Sequence, residues 1–151
     1  MEYTFRINHL GRNVLLKFLE NHTLEQLNKI PEGFSNNLIW NIGHIVVVQQ
    51  MLVYRLSGLP MMVSDAMVAK YMKGTKPESD VTQEEIDEIK SLLFATLEQA
   101  KKDFQDGVFK SYNEFTTSTG YTVKNAHDAM EFNNYHEGMH TGIMMQIKKF
   151  L

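Results

Sequence analysis

The sequence predicts an all-α four-helix bundle, and three observations predict it. Apolar residues recur at spacings of three and four through four long segments, which is the period of an amphipathic helix. The only prolines, at 31, 60 and 77, fall between those segments, where a residue that breaks helices does no harm. Side chains suited to capping stand where the segments begin.

The first helix is expected over 4–20, with Ile7, Leu10, Val14, Leu15 and Phe18 forming its buried face. Thr23-Leu24-Glu25-Gln26 reads as a capping box for a short turn of helix that Pro31 ends. After a linker at Pro31-Glu32-Gly33-Phe34, Ser35 or Asn36 is expected to cap a second helix reaching Ser57. Leu38, Ile42, Ile45, Val46, Leu52 and Val53 surround that helix instead of forming one stripe, so it is expected to be buried on more than one side. The run Ile45-Val46-Val47-Val48 has the composition of a strand, but the helical period on both flanks argues for helix. Gly58-Leu59-Pro60 stops it. The stretch 58–81 is a long connection, with one helical segment starting at Ser64-Asp65-Ala66-Met67 and a turn at Lys73-Gly74-Thr75-Lys76-Pro77. Thr82-Gln83-Glu84-Glu85 is a second capping box, opening a third helix to Phe104 that carries Ile86, Ile89, Leu93, Leu97 and Ala100 on one face. A polar connection follows over 107–120, and Thr122 is expected to cap a last helix running nearly to Leu151. The connection over 58–81 is long enough to travel the length of the bundle, so the second and third helices are expected to lie parallel, in an up-down-down-up order.

A chain of 151 residues has the length of a single domain, expected over 1–151, and folds without a staple, since it buries roughly 70% of its unfolded surface. It contains no cysteine, which excludes disulfides, iron–sulfur clusters, a cysteine nucleophile and thiolate zinc sites. Any metal must be held by His, Asp or Glu. The formal net charge of −3 gives no general attraction to nucleic acid or anionic lipid. Met1-Glu2-Tyr3-Thr4-Phe5-Arg6 does not have the pattern of a signal peptide. No apolar run approaches the ~18 residues of a membrane span. The expectation is a cytoplasmic protein with a small-molecule substrate.

The chemistry is carried by histidines. His136 and His140 are four residues apart on the last helix, so their Cβ atoms lie about 5–6 Å apart on one face, as two ligands of one ion require. The inward stripe traces through Ala126, Ala129, Asn133, His136, His140, Ile143 and Ile147. Inward histidines used as plain packing are costly, because each ring brings two nitrogens that need partners. His44, one turn after Trp40 and one before Val48 on the apolar second helix, is placed to reach the same space. Three imidazoles with an open fourth position make a reactive site. Gly43 and Gly142 flank these positions; a helical glycine marks either close backbone approach or mere tolerance. His9, His22 and His127 read as surface or satisfied groups, and the ten methionines as core and interface filler.

His136-Glu137-Gly138-Met139-His140 matches the H-E-x-x-H pattern of zinc peptidases. The surroundings argue against a peptidase: Ile143 and Gln146 occupy the places where the metzincin extension needs Gly and His, and no acidic residue follows His140. Glu137 is left as a group that supports the metal ligands, as a candidate catalytic base near metal-bound water, or as an exposed helical acid.

Asn37-x-x-Trp40-x-x-Gly43-His44, the turn Lys73–Pro77 and His136-x-x-x-His140-x-Gly142, in that order, resemble the DinB-like family, the DinB/YfiT superfamily of metal-binding four-helix-bundle proteins. The resemblance implies an up-down-down-up bundle, usually dimeric. It also implies a nickel, zinc or iron ion on three histidines, which by position are His44, His136 and His140. Characterised relatives include transferases and isomerases that use low-molecular-weight thiols such as bacillithiol or mycothiol. The reading that follows is a metal-dependent transferase using such a thiol as co-substrate. The alternatives are a metal-dependent hydrolase, with Glu137 assisting a water, and a non-enzymatic metal-binding stress or interaction protein.

Overall fold

The computed structural model describes residues 1–151. Its helices are α1 (Glu2–Glu20), α2 (Leu24–Asn28), α3 (Leu38–Val53), α4 (Asp65–Tyr71), α5 (Gln83–Gln105) and α6 (Ala126–Ile147), with short 3₁₀ turns at Arg55–Ser57 and Lys148–Phe150. Two short strands, β1 (Phe115–Thr116) and β2 (Thr122–Val123), pair antiparallel just before α6. The protein is an all-α bundle of the four long helices α1, α3, α5 and α6. No helix is long and apolar enough to cross a membrane.

Side-chain pairings set the direction of each helix against its neighbours. Thr4, Asn8 and Arg12 meet Glu131, Asn134 and Glu137 in turn, so α1 and α6 run in the same sense. Phe5, His9 and Glu20 meet Phe104, Glu98 and Lys90, so α1 and α5 run in opposite senses. Asn41 meets His140 and Gln49 meets Met130, so α3 and α6 are also opposed. Asn28 holds the starts of α3 and α5 together: its carbonyl accepts from Asn37 Nδ2, while its side chain exchanges two hydrogen bonds with the Val81 backbone. At the far end Tyr54 Oη donates to Asp103. The connection carrying α4 therefore returns the chain to the end of the bundle where α3 began.

In α3 all but two of its sixteen residues are buried. Burial of an apolar side chain contributes about 1.5–3 kcal/mol, against a helix-propensity deficit of about 0.5 kcal/mol for each β-branched residue. Packing decides, and Ile45-Val46-Val47-Val48 is helix. The α3 cap is Asn37, whose Oδ1 accepts from Trp40 N at 2.8 Å. This is one residue beyond the expected Ser35 or Asn36. The box at Thr23 closes in both directions. That at Thr82 does not: Thr82 caps Glu85 N, but the Glu85 carboxylate accepts from Tyr71 Oη and Lys70 Nζ, tying α4 to α5.

Three expectations are corrected. Thr122 does not cap the last helix; it lies in β2, and Asn125 caps α6 by accepting from Asp128 N at 2.8 Å. Two-residue strands are too short to show an alternating pattern. On α6, Ile143 faces outward at 38% exposure and Met144 takes its place inside. On α1, Ile7 is partly exposed and Leu10 is 63% exposed, whereas Asn8 and Arg12 are buried. The buried polar groups are stable there because α6 and α5 supply partners. Arg12 has no exposure and Glu137 only 3%. Arg12 Nη2 and Nε donate to Glu137 Oε1 at 2.8 and 3.1 Å, and Nη1 donates to the Leu93 carbonyl at 3.2 Å. Asn133 Nδ2 donates to the same Oε1 at 2.8 Å.

A buried ion pair roughly breaks even against apolar packing, but removing one member strands a charge and costs about 3–5 kcal/mol. Urea unfolding of Arg12→Met should show a loss of that size, and the Arg12→Met/Glu137→Leu double variant should recover most of it. A double variant no more stable than the single one would mean that the pair is not the source of the loss.

Candidate metal centre

The histidines enter the site from two helices. On α6, the four-residue spacing places His136 and His140 side by side, ring centroids 4.6 Å apart and planes tilted by 59°. On α3, which runs against α6, His44 lies 5.1 Å from the His136 ring and 4.6 Å from the His140 ring. One nitrogen from each ring falls within 4.8 Å of the others. An ion bound at about 2.1 Å in tetrahedral geometry separates its nitrogens by about 3.4 Å, so small ring adjustments complete the set.

The partners of the rings fix which nitrogen is free. His44 Nδ1 lies 2.6 Å from the Tyr71 carbonyl. A carbonyl only accepts, so Nδ1 carries the proton and Nε2 keeps its lone pair. His140 Nδ1 lies 2.8 Å from Asn41 Oδ1. Asn41 Nδ2 already donates to the Asn37 carbonyl and to Asn36 Oδ1, so its oxygen is the acceptor and His140 Nε2 is also free. Hydrogen bonds of this kind orient metal-ligating histidines. Trp40 adds a flat wall, stacking on His44 at 4.7 Å and 14° and donating from Nε1 to Thr75. His136 Nδ1 is buried without a partner. This donor set, neutral and partly preoriented, suits a divalent transition ion.

Family comparison agrees with the geometry. The model of the DinB superfamily matches residues 8–144. The chain belongs to the DinB superfamily. No curated protein matches it.

The two glycines that flank the histidines of this DinB-superfamily protein differ. A Cβ on Gly43 would lie 2.7 Å from the Tyr71 ring, so glycine here lets α4 approach and bring the Tyr71 carbonyl to His44; around Gly142 nothing lies within 4 Å, and it is merely tolerated. The remaining histidines stay apart from the cluster. His9 pairs with Glu98, His22 donates to the Phe18 carbonyl, and His127 is exposed. Glu137 is not the exposed acid that H-E-x-x-H leaves open: Arg12 and Asn133 engage its carboxylate, and it does not line the cavity above the histidines.

That cavity, of about 390 Å³, has all three imidazoles in its wall. Its outer side is the β1–β2 hairpin, through Phe115, Thr117, Ser118 and Thr119. The hairpin is missing from the sequence prediction, as are Asn41 and the Tyr71 carbonyl. An asparagine within the apolar run of α3 was the one available signal for Asn41. A backbone carbonyl leaves none.

Burial lowers the pKa of His44, and burial with its histidine neighbours lowers those of His136 and His140 to about 3 and about 4. The rings are neutral at pH 7, as ligands must be. In the unfolded chain they titrate near 6.5. Below about pH 6.5 the unfolded state therefore binds protons that the folded state refuses, and stability falls as pH falls. Thermal melts in chelator should show the melting temperature dropping between pH 7 and pH 5 by more in the parent than in a variant with all three histidines replaced by Gln. Asn41→Leu should weaken Zn²⁺ binding by about 10- to 100-fold in calorimetric titration while leaving helicity unchanged.

Proposed function

We propose that His44, His136 and His140 hold one divalent ion of the nickel, zinc or iron type. On this reading the protein transfers a low-molecular-weight thiol to a small electrophilic substrate. The observation that carries it is the convergence of three neutral imidazoles on a cavity of a chain that has no cysteine. When bound, the ion supplies positive charge that favours a thiolate at its open position. The chain's residues do the rest. Tyr71 and Asn41 hold the ligand rings, and Trp40, Val48 and Phe132 give the cavity an apolar wall. The sulfur forms the new bond to carbon as the leaving group departs, and the thiol proton goes to solvent.

Hydrolysis is the weaker reading, because no Asp or Glu lines the cavity to act as a base and Glu137 is committed to Arg12. Glu137 is instead assigned a positioning part, holding the turn of α6 that bears His136. A free thiol co-substrate suits a reducing compartment such as the cytoplasm. A homodimer accords with the apolar stripe Tyr3, Ile7 and Leu10 that α1 leaves exposed. Light scattering should give a dimer mass for the parent and a monomer for Leu10→Glu.

The decisive assay mixes nickel- or zinc-loaded protein with bacillithiol or glutathione and monochlorobimane. Thiol-dependent release of chloride that stops on chelation, and in His140→Ala, is the expected result. Turnover that needs metal but no thiol would favour the hydrolase. No turnover of either kind would favour a binding protein.

A further inference from the structure

The cavity wall carries information about the ligand beyond its thiol. Trp40, Met51, Phe115, Phe132 and Met139 make most of it apolar. Lys73, from the turn that follows α4, is its single charged residue, and no acidic residue lines it. The Lys73 ammonium has no carboxylate within 4 Å, although Lys70, three residues earlier, is paired with Glu85. Thr117, Ser118 and Thr119 line the same wall, with the Thr117 and Thr119 hydroxyls hydrogen-bonded to each other at 2.9 Å. An unpaired cation beside an apolar surface complements an anion on an apolar body. A neutral ligand leaves the cation unused, and a cationic one is repelled by it.

We propose that this cavity takes a small amphipathic carboxylate, with the apolar body against Trp40, Met51 and Phe132 and the carboxylate at Lys73. The assignment rests on the thiol-transfer reading for the orientation of the ligand, sulfur end toward the histidines, but the selectivity belongs to Lys73. Lys73 is then a specificity-determining residue. It touches the far end of the ligand and takes no part in bond making.

The test uses cobalt-loaded protein, titrated at low salt with 4-(mercaptomethyl)benzoate and with benzyl mercaptan, and followed by the cobalt absorption. Both probes present the same sulfur, so their ratio isolates the carboxylate. The carboxylate probe should bind about fivefold tighter, as expected for one partly solvated ion pair. Lys73→Met should abolish that ratio without changing the affinity for benzyl mercaptan, and Lys73→Arg should keep it. Equal affinities in the parent, or a ratio that survives in Lys73→Met, overturns the proposal while leaving the metal–thiol reading intact. If neither thiol alters the spectrum, the thiol reading fails by itself. The anion preference is then read by calorimetry with 3-phenylpropionate and 3-phenylpropanamide: a preference lost in Lys73→Met sustains the proposal, and no Lys73-dependent preference overturns it.

Discussion

The guanidinium of Arg12 is sealed from water, and Glu137 neutralises it where it lies. Few arrangements of α1 and α6 satisfy that demand. The fork of Arg12 must meet a carboxylate and the Leu93 carbonyl together, which fixes the height and rotation of α1 against both α6 and α5. Apolar contacts are forgiving of small slips; a buried ion pair is not. Because Glu137 adjoins His136, the same contact fixes the turn of α6 that presents two of the imidazoles. Asn133 extends the restraint one turn further.

A second set of polar contacts runs from the helix starts into the site. Asn28 binds Asn37, Asn37 caps α3 and accepts from Asn41, and Asn41 orients His140. From the other side Glu85 holds the Tyr71 side chain, and the Tyr71 carbonyl orients His44. Residues that would serve only as caps in a simpler bundle here also set the direction of ring nitrogens. The missing side chain of Gly43 belongs to this set, since it gives the Tyr71 ring room to lie against α3.

The helices and the three histidines were legible because each shows itself locally: a period, a cap, a four-residue spacing. The buried face of α1 was not. Ile7 and Leu10 satisfy the period, yet Asn8 and Arg12 are inside, and only the facing residues of α6 explain why. Glu137 illustrates the same gap from the opposite side. Its motif described the spacing of its neighbours, whereas its surroundings are set by a residue 125 positions away. The hairpin escaped notice for a different reason. Strands of two residues carry no periodic signal, and the segment leading into them is tethered by distant contacts, Asn113 N to the Leu56 carbonyl and Tyr112 Oη to the Leu52 carbonyl.

The hairpin stands apart from the three histidines in one further respect. The three imidazole rings and the groups that orient them come from α3, α6 and the end of α4, whereas the outer wall is a loop excursion between α5 and α6, its tip made of Thr117, Ser118, Thr119 and Gly120. The hydrogen bonds of that tip stay within the hairpin, apart from the ion pair and the asparagine chain. The architecture thus separates the groups that hold the rings from those that shape the outer wall. One wall of the cavity can therefore change in length and composition by loop replacement while the histidine cluster stays as it is.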